Sequence, residues 1–330
     1  MEYVALGRTG VQVSKLCLGC MNFGWGTEEK ESIQIIHHAI EQGVNFVDTA
    51  NVYGKGASET IVGKALAGGL RERIVLATKV HARMSDEPND FGNSRRHIIQ
   101  SCEASLQRLQ TDWIDLYQIH RPQPSIPIDE TLRALDDLIH AGKVRYVGTT
   151  TFAAWQITEA IWVAKELGLN RFVTEQPPYN LLDRRIEREL VPCCITYGIG
   201  LLPWSPLAGG LLTGKYLGGS KPEGARYSQT QPIRHIGPGA EAVIEGFNKY
   251  ARERGVAPSQ LALAWCAAQP GITSPIIGPR TMEQLEDNLS SLSIEITDED
   301  RKAIDAIAPP GTHTAEYYVA EFGPSSHRLV

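Results

Sequence analysis

Eight short apolar runs, each followed by residues with apolar positions at helical spacing, constrain this chain more than any other feature. Unbroken or alternating apolar runs fit buried strands, whereas a repeat near 3.6 fits one face of a helix. The strand-like runs fall at 16–19, 44–48, 74–79, 113–120, 144–148, 172–176, 200–204 and 274–278. Between them the spacing predicts helices. Thr27 caps one carrying Ile33, Ile36 and Ile40, and others cover 58–66, 153–167 and 185–197. Ser94 caps a helix with Ile98, Ile99, Cys102, Leu106 and Leu109 inward. Asp129 opens one that Gly142 ends. Further helices are expected at 240–254, 258–268, from Thr281 onward, and at 298–307.

An eightfold strand–helix alternation is what a (β/α)8 TIM barrel requires, so the fold class is α/β. A doubly wound sheet is the structural alternative, but no G-x-G-x-x-G follows an early strand. Two apolar runs around Gly7-Arg8-Thr9-Gly10 predict an N-terminal hairpin. A long glycine-rich loop, 205–239, follows strand seven, and a C-terminal tail follows the last helix. The expectation is one barrel domain over residues 1–330.

Composition narrows the class of function. The chain is 42% hydrophobic and 21% charged, and its net charge of -6 is spread without runs, so no polyanion-binding or nucleic-acid surface is indicated. Cys17 and Cys20 form a C-x-x-C inside an apolar strand, without the second ligand pair a zinc site needs. No metal is expected. The N-terminus lacks a signal-peptide layout and no apolar run reaches about 18 residues. A soluble cytoplasmic protein is the expectation, with no membrane partner; the sequence says nothing of its oligomeric state.

In a barrel of this kind chemistry gathers at the C-terminal ends of the strands. Those ends carry Asp48 and Tyr53 after strand two, Lys79 in strand three and His120 in strand four. A phenol is a poor acid unless a cation beside it favours the phenolate. Lys79 can supply that cation, Asp48 can hold Lys79 charged, and His120 can hydrogen-bond a reacting oxygen. Tyr53 can then donate a proton to an oxygen that gains negative charge. Singly, each of these has a plainer use, as a rim aromatic, a solvated lysine or a structural histidine. It is their combination at successive strand ends that points to chemistry.

The motifs DTANVYG around Asp48 and Tyr53, TKV around Lys79 and YQIHRP around His120 resemble the aldo-keto reductase superfamily. EQPPYNLL, PWSPLAGGLLTGKY and IIGPRTMEQLEDN extend the resemblance along nearly the whole chain, toward the bacterial branch related to potassium-channel β subunits. The resemblance implies a catalytic tetrad of Asp48, Tyr53, Lys79 and His120, and reduction of a carbonyl by NADPH. It implies that Thr150, Thr151 and Gln176 hold the nicotinamide amide, with Thr151 standing where the family carries Asn. Trp204 would pack near the nicotinamide, and Ser205, Leu207, Gly209 and Lys215 would follow the pyrophosphate. Gly278, Arg280, Thr281, Gln284 and Asn288 would take the adenosine end, with Arg226 reaching it from the long loop. Thr281-x-x-Gln284 is also a helix-capping pattern, and both uses are compatible because a helix N-terminus attracts phosphate.

The small-molecule substrate, an aldehyde or ketone, would meet the loops and tail: Met21, Trp25, His81, Arg83, Met84, Tyr317 and Tyr318. Two other classes of function stay open. One is a regulatory subunit that holds nicotinamide cofactor with slow or vestigial turnover. The other is a barrel aldolase or isomerase with Lys79 as Schiff-base nucleophile, which would need a neutral lysine.

Overall fold

Eight parallel strands curl into a barrel because every one of them has helices to cover its outer face. The computed structural model describes residues 1–220, 222, 225–227 and 236–315. A hairpin, β1 (Tyr3–Ala5) and β2 (Gln12–Ser14), precedes the barrel strands. These are β3 (Cys17–Gly19), β4 (Phe46–Asp48), β5 (Val75–Val80) and β6 (Ile114–Ile119). β7 (Val144–Thr150), β8 (Thr174–Gln176), β9 (Gly200–Leu201) and β10 (Ile276–Ile277) complete the set. Their order is sequential, β3 to β9, with β10 beside β3. The Ile276 N–H donates to the Pro203 carbonyl at 2.8 Å and closes the ring between β10 and the end of β9.

The connecting helices are α1 (Glu29–Glu41), α2 (Ala57–Ala65), α3 (Arg95–Leu109), α4 (Ile128–His140), α5 (Ala154–Leu167) and α6 (Leu190–Tyr197). α7 (Ala240–Glu253) and α8 (Pro258–Ala267) precede β10, and α9 (Met282–Ser290) and α10 (Asp298–Ile307) follow it. Among the described residues no helix is long and apolar enough to cross a membrane.

The expected caps hold at Ser94, whose side chain accepts the His97 N–H, and at Thr281, which accepts the Gln284 N–H. Thr27 does not cap α1. Glu28 precedes that helix, and the Thr27 hydroxyl instead donates to the Arg280 carbonyl at 3.1 Å. Ile33 is only partly buried, because Ser32, Ile35, Ile36, Ala39 and Ile40 form the inward face. Strands seven and eight are shorter than the apolar runs suggest, and the stretch 185–197 is a short 3-10 turn, Arg185–Glu187, before α6. Tyr317 and Tyr318 lie outside the described residues.

Three apolar layers hold this together. One lies between sheet and helices, and a second joins α7, α8 and α10 to the loop at 208–213. The third fills the N-terminal end of the barrel, where Leu6 and Val13 of the hairpin meet Cys17, Phe46 and Val173 at the strand starts. Each such fully buried aliphatic side chain contributes roughly 1.5–3 kcal/mol. Gly7 permits the approach: its φ is +56°, and a Cβ there would stand 2.4 Å from the Val173 carbonyl oxygen. With that end plugged, the main cleft opens at the opposite end.

On β8, alternation sends Gln176 into the barrel and Glu175 outward toward the start of α5. Glu175 is fully buried. One carboxyl oxygen accepts the Phe152 N–H at 3.1 Å, and the other has no hydrogen-bond partner among the described residues. Burial pushes the acid up to about 8 from 4.5, against the lowering influence of the Phe152 N–H and of the polar groups of Thr149 and Thr151 nearby. A raised folded-state value means that stability is fully present below the unfolded value and lost as pH rises through the folded one. Glu175→Gln removes that ionisation. It should therefore flatten the stability profile between about pH 4.5 and 8, and exceed wild type by on the order of 1–3 kcal/mol at the alkaline end. Urea unfolding at acid and alkaline pH measures this, and an unchanged difference across the range would contradict it.

Candidate functional site

Lys79 sits in the barrel interior with no solvent exposure. Strand register sets it beside Gln118 of β6, while Asp48 ends β4 one strand away. Its ammonium forms an ion pair with Asp48 Oδ1, donates to the Thr49 carbonyl at 2.9 Å, and lies 3.3 Å from the Tyr53 hydroxyl. Burial opposes the charge. The fields of Asp48 and Tyr53 outweigh burial, and the lysine is raised above its usual value, so it is a cation at all ordinary pH. A neutral Schiff-base lysine is not what this pocket makes.

The second oxygen of Asp48 accepts from Gln118 at 3.0 Å and from Gln176 at 3.1 Å. Gln176 also donates to Gln118 Oε1 at 3.3 Å. Four strands, β4, β5, β6 and β8, thus fix one carboxylate. Tyr53 comes from the turn beyond β4, where Gly54 and Lys55 take left-handed backbone angles to bring the ring back over the barrel. Its ring stands edge-on to His120, with centroids 5.7 Å apart, and the Lys79 ammonium lies 4.9 Å from its centroid. His120 follows the last residue of β6. Burial, then the charges of Arg121, Lys79 and His81, hold it well below the usual histidine range, so its ring is neutral. The arrangement offers a phenol proton beside a fixed cation and a neutral imidazole that can donate one N–H.

These side chains stand at the floor of a cleft of 640 Å³. Asp48, Tyr53, His120, Gln176, Trp204, Ser205, Leu207, Gly209, Lys215, Arg226, Gly278, Arg280, Gln284 and Asn288, all named from the sequence, line it. Thr150 and Thr151 stand just behind its wall, both hydroxyls accepting from Arg121. Thr281 starts α9 without lining the cleft. Of the residues considered for substrate, Met21 alone among those described reaches the cleft. Trp25 is 58% exposed and donates to the Met21 carbonyl. His81 turns to Asn93 and packs on Phe91, Arg83 covers the same ring, and the Met84 N–H turns to Asp90.

The far half of the cleft suits a phosphorylated ligand. Ser205, Ala208, Gly209 and Gly210 all have positive φ, a backbone that brings successive N–H groups together in an anion-binding concavity. Lys215 lies across Gly210, and half-burial and then the nearby Arg280 cation lower its pKa. These two cations repel each other, and with Arg226 in the same lining they outnumber the carboxylate of Asp287 there. Gln284 accepts the Arg280 N–H at 2.9 Å and holds that segment at the start of α9. From the other side Asn22 donates to the Gly278 carbonyl at 3.2 Å.

Gln118, Arg121 and Asn22 carry the geometry but did not stand out by sequence spacing. Gln118 and Arg121 flank His120 inside YQIHRP, so their only signal was adjacency to a strand end. Asn22 is a single polar residue beyond β3, and its partner lies 256 residues away.

The sequence pattern of the Aldo/keto reductase family matches residues 15–309. An uncharacterized oxidoreductase of Bacillus subtilis, YrpG, is 42% identical, over 96% of this chain and 99% of its own. A probable voltage-gated potassium channel subunit beta of Oryza sativa is 39% identical, over 89% and 92%. Versiconal hemiacetal acetate reductase of Aspergillus parasiticus is 34% identical, over 96% and 100%.

Proposed function

The chain belongs to the aldo/keto reductase family, and from that premise we propose that it reduces an aldehyde or ketone to an alcohol with NADPH. The observation that carries this reading is Lys79, fully buried between the Asp48 carboxylate and the Tyr53 hydroxyl at the floor of a cleft rich in cations. When bound, the reduced nicotinamide supplies a hydride to the carbonyl carbon.

The chain's own residues do the rest. Tyr53 donates its proton to the carbonyl oxygen as negative charge grows there. Lys79 stabilises the tyrosinate left behind, and Asp48 keeps Lys79 in place. His120, neutral, directs an N–H to the same oxygen and orients the carbonyl. After the alcohol departs, the phenol recovers a proton from solvent. Thr150, Thr151 and Gln176 would hold the carboxamide, and Trp204 would flank the nicotinamide ring. The loop from Ser205 to Lys215 would follow the pyrophosphate. Asn288, Gln284 and the segment from Gly278 to Thr281 would hold the adenosine, with Arg280 and Arg226 at the 2′-phosphate. The cysteines, all free thiols, suit a reducing compartment, and we place the protein in the cytoplasm on that ground.

A second reading draws on the relatives named as potassium-channel subunits: a cofactor-holding regulatory subunit with slow turnover. NADPH oxidation across a panel of aldehydes and ketones separates the two, since the module would bind cofactor without sustained oxidation.

Tyr53→Phe keeps the ring and removes the acid. Its kcat should fall by on the order of 10²–10⁴-fold while cofactor Kd stays near wild type. Near wild-type turnover would remove Tyr53 from the proton-donor role.

Arg280→Ala should narrow a preference for NADPH over NADH. A charge-assisted bond to the 2′-phosphate contributes roughly 1.5–3 kcal/mol, or about one to two decades of affinity. Tryptophan-fluorescence quenching gives both dissociation constants, and equal weakening of the two cofactors would show that Arg280 does not read the phosphate.

A further inference from the structure

We propose that Arg121 is a positioning residue, one whose guanidinium locks the backbone at His120 to the Thr150–Thr151 hydroxyl pair. The proposal rests on the reading of His120 as the group that meets the carbonyl oxygen and of the threonines as cofactor contacts. A single nitrogen, Nη1, donates to the His120 carbonyl at 2.7 Å, to Thr150 Oγ1 at 3.0 Å and to Thr151 Oγ1 at 2.8 Å. Nη1 carries two hydrogens, so at least one is shared among the three acceptors. The guanidinium therefore ties the end of β6 to the end of β7 at one point.

The threonines make that tie consequential. Thr150 gives its own proton to the His120 carbonyl at 2.5 Å, so as a donor it is already committed. Thr151 accepts from Arg121, and its hydroxyl lies 3.2 Å from Thr150 Oγ1, to which it can donate. It is also held at a φ of +62°, a left-handed angle that a β-branched residue adopts only when its surroundings impose it. Its N–H donates to the Gln176 carbonyl at 3.2 Å, and the Arg121 bond fixes its side chain. Thr151 stands where the family resemblance places an asparagine, a residue more at ease at this angle. The guanidinium thus supplies the restraint that the residue type does not.

Arg121 also sets the charge state of its neighbour. The groups facing His120 are Arg121 beyond β6, Lys79 on β5, His81 just past β5, and the Tyr53 phenol from the turn after β4. Burial and then Arg121 lead in keeping the imidazole neutral, the form that donates to a carbonyl without carrying charge into the cleft.

The test uses the full-length chain as wild type, Arg121→Lys and Arg121→Met, with folding checked by circular dichroism. NMR titration of the histidine rings, with His120 assigned by loss of its signal in His120→Gln, reads the charge effect without turnover. In wild type and Arg121→Lys, His120 should remain neutral well into the acid range. In Arg121→Met it should titrate at higher pH, and the acid limb of kcat should move with it. Because a lysine keeps the charge but not the planar fork, both variants should bind NADPH about tenfold or more weakly. An unchanged His120 titration in Arg121→Met, or unchanged NADPH affinity in both variants, would overturn the proposal. If wild type binds NADPH yet reduces no carbonyl, the reductase reading fails alone, because neither the titration nor the affinity depends on turnover.

Discussion

The ammonium of Lys79 is the charge on which this barrel's chemistry depends. A fully buried cation costs several kcal/mol to desolvate and survives only where a carboxylate and further hydrogen bonds offset that cost. Here the carboxylate is Asp48, whose remaining oxygen is saturated by the two glutamine amides. The strand ends are thereby drawn to one point by electrostatics as well as by the ladder. The tyrosine gains its cation because the fold has nowhere else to put it.

The rest of the cleft extends the same logic of incomplete compensation. Near Lys79, positive charge is matched by a carboxylate. Farther out, Lys215, Arg226 and Arg280 line the cleft with Asp287 as the one carboxylate among the described lining residues there, so cations are in excess. A ligand neutral at one end and multiply negative at the other fits that gradient. The backbone of the long loop, folded left-handed at Ser205 and from Ala208 to Gly210, adds N–H donors where side chains would crowd the ligand.

Much of this was legible in the sequence, for reasons that are physical. Asp48, Lys79 and His120 sit at the ends of apolar runs, and a charged residue closing a buried strand is conspicuous. The eightfold alternation gave the barrel for the same reason. Element ends were harder to read. Thr27 has the chemistry of a cap, but a carbonyl 253 residues away claims its hydroxyl. β9 and β10 have two residues each, because the chain leaves the ladder to make the cleft before the apolar run ends. Trp25, His81 and Arg83 are polar or aromatic loop residues of the right type. Local partners, the Met21 carbonyl, Asn93 and Phe91, hold them off the cleft. Gln118 and Arg121 were passed over because an uncharged amide and a residue next to a histidine carry no periodic signal.

The hydrogen bonds from Asn22 to Gly278 and from Thr27 to Arg280 join the beginning of the barrel to its end. β3 and β10 are neighbours in the same region, so the first barrel strand waits for the last. During synthesis the amino-terminal half of this surface is made long before its partner emerges from the ribosome, and closing so large a loop delays the pairing further. The wall that carries Arg280 is therefore the last part of the cleft to come into being. A truncated or stalled chain would hold Asp48, Tyr53, Lys79 and His120 but lack the side of the cleft that Gly278 and Arg280 form. Translation thus withholds the complete cleft until the protein is nearly whole.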